Sequence, residues 1–218
     1  KICQEERQLL LEVSRGLEQQ EFQLYLQFFV DAHSFQIVGG EALSRWNHPQ
    51  LGVLSPGRFI PLLEREGRVS LLDFYSMERA CAFLEELAGR QTGNFFVSCN
   101  FSRQTFSSPD FVKQCSAILK RYAFDRKLLI LEVTETQRVS KEGHAQMQQN
   151  IMDVRALGVR VIFDDFGMGF SSFHDLQEYP MDGLKLDKYL VDHMWTPRGK
   201  AILGGLVQTG HALGLTIL

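Results

Sequence analysis

The sequence predicts an α/β fold, with a parallel sheet covered by helices and most simply closed as a (β/α) barrel. After two initial strands, short apolar runs alternate with longer amphipathic segments to the end of the chain, as in βα units. An open doubly wound sheet would alternate in the same way, but no glycine fingerprint of a dinucleotide fold follows the early strands. Barrels of this class take about 250 residues, so 218 residues predict a nearly complete one.

The first half of the chain is predicted to begin with a helix and a hairpin. Apolar side chains after Glu5 recur at helical spacing, whereas the run from Phe22 alternates apolar and polar side chains as a strand does. Ser55 followed by Pro56 is a typical helix start. The segments predicted here are a helix at 5–19, strands at 22–29 and 36–46, a loop at 47–52, and helices at 55–66 and 71–87.

The second half is predicted to alternate strand and helix, and Gly158 ends the helix that precedes the run from Val161. No repeat or linker divides the chain, so we expect a linker or capping helix at 1–20 and one barrel domain at 21–218. The predicted segments are strands at 95–101, 127–133, from Val161, at 183–187 and from Gly214, and helices at 108–122, 140–157, 171–178 and 197–212.

Composition argues against several classes of protein. A net charge of −3 gives no electrostatic basis for coating a nucleic acid, and no apolar run is long enough to span a membrane. Scattered histidines argue against a histidine-based zinc site. Cysteines without CxxC spacing predict reduced thiols in a cytoplasmic protein. The chain lacks an initial Met and stops in an apolar run, so we expect a fragment, free in the cytoplasm or part of a membrane-anchored protein.

Two adjacent carboxylates, Asp164 and Asp165, follow the apolar run Val161–Phe163 and precede a loop with two glycines. Adjacent acids at the end of a buried strand repel each other and lose hydration. A bound divalent cation would offset that cost. The alternative is that Asp164 starts a turn and Asp165 caps the helix that begins near Ser171.

Polar residues also mark the ends of the other predicted strands, which in a barrel line one shared pocket. Any single acid among them could be a structural partner of Arg or Lys. A core cannot hold so many uncompensated carboxylates, and oxygen ligands suit Mg²⁺ or Mn²⁺. Asp164 could bridge two ions, an arrangement that suits phosphodiester hydrolysis; Lys185 would be a counter-ion or would orient the attacking water. These strand-end residues are Glu41, Asn100, Glu132, Glu135, Asp164, Asp165, Lys185 and Asp187.

Six ordered blocks of sequence resemble the EAL domain family, the bacterial cyclic di-GMP phosphodiesterases. The resemblance covers about residues 20–218, and the order of the blocks makes it specific, although the tripeptide Glu41-Ala42-Leu43 alone would not be. The blocks are Gly40–Pro49, Phe59-Ile60-Pro61 with Glu64, Asn100-Phe101-Ser102, Leu131–Glu135, Asp164–Ser172 and Leu184–Asp187.

The resemblance implies a modified (β/α)₈ TIM-type barrel with an antiparallel first strand, hydrolysing cyclic di-GMP to linear pGpG. In the family, one Mg²⁺ or Mn²⁺ ion is held by residues that match Glu41, Asn100, Glu132 and Asp164. Residues matching Asp164 and Asp165 help to hold a second ion, and the lysine matching Lys185 positions the water. The expected catalytic residues are therefore Glu41, Asp164, Asp165 and Lys185.

Further roles are implied for substrate binding and regulation. Residues matching Gln27, Arg45 and Asp187 are expected to bind substrate, with Arg45 on a phosphate. The glutamate matching Glu135 steadies the loop that couples a dimer interface to metal binding. That loop consists here of Phe166, Gly167, Met168, Gly169, Phe170, Ser171 and Ser172. Expected partners are cyclic di-GMP, a second copy of the chain, and a fused sensor or GGDEF-type domain, without nucleic acid or a membrane segment.

Several positions depart from the family pattern. Phe28 stands where Pro is usual, Met168 replaces a small Thr or Ala, and Phe170 replaces Tyr. The C-terminal part of the barrel, with the glutamate that completes the second metal site, is absent from the chain, so we expect that site to be incomplete. Two further hypotheses are therefore a weakly active or inactive cyclic di-GMP receptor and a barrel with a purely structural acid network.

Overall fold

The computed structural model of the protein describes residues 4–90, 93–134, 140–167 and 173–218. A mixed eight-stranded sheet lies at its centre, in the order β1-β2-β4-β5-β6-β7-β8, with β3 paired to β2. The strands are β1 (Phe22–Val30), β2 (Ile37–His48), β3 (Gly52–Leu54), β4 (Phe96–Ser102), β5 (Leu129–Thr134), β6 (Arg160–Phe166), β7 (Gly183–Leu186) and β8 (Thr216–Ile217).

Helices connect the parallel strands, as the alternation of the sequence predicts. A short 3₁₀ turn, Arg126–Leu128, leads into β5. The helices are α1 (Gln4–Glu18), α2 (Pro56–Arg65), α3 (Val69–Gly89), α4 (Arg103–Phe106), α5 (Phe111–Leu119), α6 (Lys141–Ala156), α7 (Phe173–Glu178), α8 (Lys188–Asp192) and α9 (Pro197–Ala212).

The first strand runs antiparallel to the second, whereas the successive pairs from β2–β4 to β7–β8 are parallel. The hairpin turn forms at Asp31, whose Oδ1 accepts hydrogen bonds from the backbone N–H groups of His33 and Ser34. The predicted fold class, an α/β barrel sheet with an antiparallel first strand, is therefore confirmed. The register pairs Gln27 with Glu41 and Gln23 with Arg45, so these side chains share one face of the sheet.

Two local predictions were wrong, and two short helices were missed. The expected loop at 47–52 is instead the end of β2 and the start of β3, with only residues 49–51 between them. The helix expected from 108 begins at Phe111, and the short helices α4 and α8 were not expected. Four- and five-residue helices carry too little periodicity to be detected in a sequence, and β3 is too short for a strand pattern.

Two apolar clusters support the sheet. The larger one lies between the sheet and helices α3, α5 and α6. In the smaller one, α1 and α2 pack on Phe22 and Trp46, whose rings stack at 4.8 Å. The first helix is thus packed against the barrel. No helix within the described residues has the length and apolarity needed to cross a bilayer.

Candidate active site

The carboxyl ends of neighbouring strands bring polar side chains together, because the pairing places the polar residues either level with each other or two residues apart. Glu41 of β2 is level with Ser98 of β4, two residues before Asn100. Asn100 is level with Glu132 of β5. Glu132 is in turn level with Ile162 of β6, two residues before Asp164. Successive residues of a strand alternate between faces, so an offset of zero or two residues keeps the polar residues on the same face.

Lys185 of β7 lies at the centre of three acids. Its Nζ is 2.7 Å from Glu41 Oε2, 2.9 Å from Glu132 Oε2 and 3.0 Å from Asp164 Oδ1. Asn100 Nδ2 donates to Glu41 Oε1 at 2.7 Å. One oxygen from each of the three carboxylates lies within 4.8 Å of the other two. We call Glu41, Glu132 and Asp164 the carboxylate cluster.

The protein environment shifts the protonation equilibria of this site. Burial raises the pKa of Glu132 to about 7, and the carboxylates of Glu41 and Asp164 add to the shift while Lys185 opposes it. Burial also raises the pKa of Asp164, against the opposing effect of Lys185. Burial alone would lower the pKa of Lys185, but its three carboxylate neighbours outweigh that effect and raise it. The ammonium group is therefore charged and compensates the cluster.

The donor set fits a hard divalent cation. Asn100 Oδ1 and Glu132 Oε1 are buried oxygens with no well-formed hydrogen bond from the described residues, although the nearby Ser98 hydroxyl lowers the pKa of Glu132 slightly against the effect of burial. Leaving a buried acceptor unpaired costs about 1–3 kcal/mol, and a cation bound by these oxygens would remove that cost. Carboxylate and amide oxygens are the ligands that Mg²⁺ and Mn²⁺ prefer.

The two adjacent aspartates lie within β6, at an irregularity of the pairing between Phe163 and Phe166. Asp165 has a φ of 49°, and its N–H donates to Asp164 Oδ1 at 2.8 Å. A bulge of this kind re-aims side chains. The alternative in which Asp164 starts a turn and Asp165 caps a helix is wrong, because both lie in β6, which continues to Phe166. Asp165 is outside the carboxylate cluster and lies on the wall of a cavity.

That cavity has a volume of about 480 Å³ and lies beside the cluster. Asn100, Asp165 and Asp187 line it on the side of the strand ends, and α2 and α3 line it on the other side. Its apolar lining comes from Leu43, Pro56, Ile60, Val69, Leu72 and Phe101. Largely apolar walls with a few polar groups are typical of small-molecule sites.

Of the three residues expected to bind substrate, Asp187 lies on the wall of this cavity and the other two lie on the β1–β2 hairpin. Gln27 is exposed on β1 opposite Glu41. Arg45 is half-buried, and its guanidinium lies 5.7 Å from the centre of the Tyr25 ring. Asp187 lines the cavity, and its carboxylate also accepts from the N–H of Tyr189 at 2.6 Å as the cap of α8. Substrate binding by these residues stays a prediction.

Only the beginning of the expected coupling loop is described. Phe166 is buried, and Gly167 has a φ of 109° that favours glycine. Glu135 and five loop residues, Met168, Gly169, Phe170, Ser171 and Ser172, lie outside the described residues.

Two features near the site were not predicted. Arg103 of α4 forms a buried ion pair with Asp175 of α7 at 3.3 Å, and this pair joins the connections that follow β4 and β6. Asp73 of α3 lines the cavity and is buried. The only signal for Asp73 was a charged residue between Leu72 and Phe74, where the helical pattern favours an apolar residue.

Comparison with known proteins matches one family across nearly the whole chain. The EAL domain family matches residues 11–218. The cyclic di-GMP phosphodiesterase RocR of Pseudomonas aeruginosa is 32% identical over 209 residues, which cover 95% of this chain. The cyclic di-GMP phosphodiesterase PdeL of Escherichia coli is 31% identical over 208 residues, covering 94% of this chain. The chain spans 52% of RocR and 57% of PdeL.

The fold is also similar to solved structures. The PaMucR phosphodiesterase in complex with c-di-GMP superposes with a TM-score of 0.85 at 30% sequence identity. The superposition covers 96% of this chain and 85% of that one. The similarity therefore includes the sheet, the helices and the strand ends that carry the carboxylate cluster.

Proposed function

Because the chain belongs to the EAL domain family, we propose that it hydrolyses cyclic di-GMP to linear pGpG. One observation carries this proposal. Three carboxylates and an asparagine from four different strands converge on one point, with two of their buried oxygens unpaired. RocR and PdeL, which are similar over almost the whole of this chain, are named cyclic di-GMP phosphodiesterases.

The cofactor that we propose is Mg²⁺ or Mn²⁺. Glu41, Asn100, Glu132 and Asp164 would hold the first ion, and Asp164 and Asp165 would contribute to a second site. When bound, such ions lower the pKa of a water molecule and stabilise the leaving oxygen of a phosphodiester.

The remaining residues bind and orient the substrate. Lys185 balances the negative charge of the carboxylate cluster and, once the substrate is bound, orients the attacking water. Arg45 offers a guanidinium to a substrate phosphate, because guanidinium groups match phosphate oxygens in geometry and charge. Gln27 contributes hydrogen bonds next to Glu41. The neighbouring cavity, about 480 Å³ with largely apolar walls, accepts a base.

A second candidate function is a receptor that binds cyclic di-GMP without hydrolysing it. The observation that favours it is the position of Lys185, whose Nζ pairs with all three carboxylates at 3.0 Å or less. A cation would have to displace these contacts. In that case the cavity and Arg45 would still bind the ligand while turnover stayed low.

We propose further that the chain works within a larger protein. It covers about half of RocR and PdeL, so a sensor or GGDEF-type domain in the same protein is consistent with their greater length. We also propose that Glu135 and the loop 166–172 couple a homodimer interface to the metal site.

Hydrolysis can be tested by incubating the protein with cyclic di-GMP and Mn²⁺ and separating the products by chromatography. The expected product is pGpG. Glu41→Gln and Asp164→Asn each remove a charged ligand with little change of shape, so turnover should fall about 100-fold or more. Glu18→Gln, an exposed acid at the end of α1, is the matched control and should keep the parent rate.

Two outcomes would contradict the enzyme proposal. The first is tight binding of cyclic di-GMP by the parent protein without pGpG, which favours the receptor. The second is a Glu41→Gln variant that turns over as fast as the parent, which would exclude the carboxylate cluster as the reaction centre.

A further inference from the structure

Tyr25 is an exposed aromatic residue next to the proposed reaction centre. It lies on β1, and its side chain is 50% exposed although the neighbouring Leu24 and Leu26 pack on the core. The guanidinium of Arg45 lies over its ring, 5.7 Å from the centre. An aromatic face attracts a cation at this distance, so the pair restricts the positions that Arg45 can take.

The hairpin register explains why the two residues meet. Tyr25 pairs with Leu43, and its diagonal neighbour on the same face is Arg45. Diagonal neighbours across an antiparallel pair are within reach of aromatic and long side chains. Glu41 lies on this face as well, opposite Gln27. The face therefore carries the aromatic ring, the arginine and one member of the carboxylate cluster.

A second contact holds the guanidinium from its edge. Arg45 Nη1 donates to the carbonyl oxygen of Ser44 at 2.9 Å. Among the residues that the structure describes, no carboxylate pairs with Arg45. A guanidinium has five N–H donors, so most of its donors are available for an anion. A cation held on one edge and one face, with its charge uncompensated, is suited to bind a phosphate.

We propose that Tyr25 is a positioning residue that holds the Arg45 guanidinium for the second phosphate of the substrate, an inference that rests on the proposed function. Arg45 is four residues beyond Glu41, about 13 Å along the strand at 3.3 Å per residue. A cyclic dinucleotide carries two phosphodiesters, and the carboxylate cluster acts on one of them. Arg45 lies farther along the same face, and we assign it to the other phosphodiester.

Kinetics on two substrates test this role. Tyr25→Leu removes the aromatic face, and we expect KM for cyclic di-GMP to rise about two- to fivefold, the value of an exposed cation–π contact, with kcat nearly unchanged. Tyr25→Phe keeps the aromatic ring, so its KM and kcat for cyclic di-GMP should equal those of the parent. For bis(p-nitrophenyl) phosphate, which has a single phosphodiester, Tyr25→Leu should leave KM unchanged because that substrate has no second phosphate.

A double-mutant cycle separates positioning from direct contact. If Tyr25 acts through Arg45, Tyr25→Leu should add nothing to the effect of Arg45→Ala. Additive effects, or equal losses on both substrates, would overturn the proposal. If the parent protein binds cyclic di-GMP without turnover, the proposed enzymatic function fails. In that case Tyr25→Leu should raise the Kd for cyclic di-GMP by the same two- to fivefold. An unchanged Kd in Tyr25→Leu would overturn the role of Tyr25 in that case.

Discussion

Asp73 is a buried carboxyl group in the wall of the cavity, 6% exposed. Its Oδ2 accepts hydrogen bonds from Thr105 Oγ1 at 2.6 Å and from the backbone N–H of Ser102 at 3.1 Å. Burial nevertheless raises its pKa to about 7, because loss of hydration outweighs these bonds and nearby Glu64 adds repulsion. The group is therefore largely protonated below neutral pH in the folded protein.

This shift predicts a pH-dependent stability. The pKa of Asp73 is higher in the folded than in the unfolded chain, so its contribution to the free energy of unfolding is complete below about pH 4. It is lost as the pH rises from there to about 7, by at most about 1.4 kcal/mol per pH unit. In Asp73→Asn this loss is absent. Urea unfolding at a series of pH values measures this. The free energy of unfolding of the variant, relative to that of the parent, should rise between pH 4 and pH 7.

The exposed Asp110 supplies the control for this measurement. Asp110→Asn makes the same substitution at an exposed position, so it measures the effect of removing a carboxylate that folding does not bury. If the difference between Asp73→Asn and the parent is the same at pH 4 and pH 7, Asp73 does not titrate in this range and its assignment is wrong.

At the scale of one element, α1 is attached to the barrel by both apolar and polar contacts. Leu9 and Val13 are buried in the smaller core cluster. Glu12 Oε2 lies 2.6 Å from Nε2 of His48, at the end of β2. Arg68 donates to the carbonyl of Leu10 at 2.7 Å. The sequence predicted a linker or a capping helix at 1–20, and we infer that α1 caps the barrel.

Two leucines of α1 test whether the helix is part of the folding unit. Leu9 is 3% exposed and Leu11 is 69% exposed. Leu9→Ala should lower the free energy of unfolding by about 2–4 kcal/mol, through lost burial and a cavity. Leu11→Ala should stay within about 0.5 kcal/mol of the parent. Denaturant unfolding measures both, and equal effects would mean that α1 is a linker that detaches before the barrel unfolds.

At the scale of the whole molecule, Lys185 joins four strands. Its ammonium group connects the end of β7 to acids on β2, β5 and β6. Removing one partner of a buried charge pair is strongly destabilising, since the other charge is left uncompensated. The lysine therefore holds the strand ends together wherever no metal ion balances the acids.

Thermal unfolding of Lys185→Met with and without Mn²⁺ measures this role. Without added cation, the free energy of unfolding of the variant should be lower than that of the parent by about 3 kcal/mol. This is the lower end of the range for removing one partner of a buried ion pair, because the Lys185 side chain is 20% exposed. Mn²⁺ should raise its Tm more than that of the parent, because the cation meets no competing ammonium group. Turnover should be slow.

Lys188→Met is the matched control, since Lys188 is 83% exposed and pairs with Asp192 at the surface. The Tm of Lys188→Met should match that of the parent both with and without Mn²⁺. If Lys185→Met instead loses its response to Mn²⁺, the lysine is needed for metal binding and the assignment to charge balance and water orientation is wrong.

The sequence by itself determined the fold class, the alternation of strands and helices along the chain, and the residue types of the site. Strand–helix alternation is a local pattern, and blocks such as Asp164–Ser172 are read directly from the chain. The acids at the ends of successive strands predicted a shared pocket because parallel strands end at one edge. Short elements such as β3, α4 and α8 were not predicted, because so few residues show almost no hydrophobic periodicity.

Only the tertiary structure decided which side chains meet. Tyr25 and Arg45 are far apart in sequence and meet through the hairpin register, and Asp73 reaches the cavity through the packing of α3 on β4. The same holds for Lys185, whose contact with Glu41 spans 144 positions. Contacts of this kind depend on strand order, register and packing together, and no local pattern in the chain records all three.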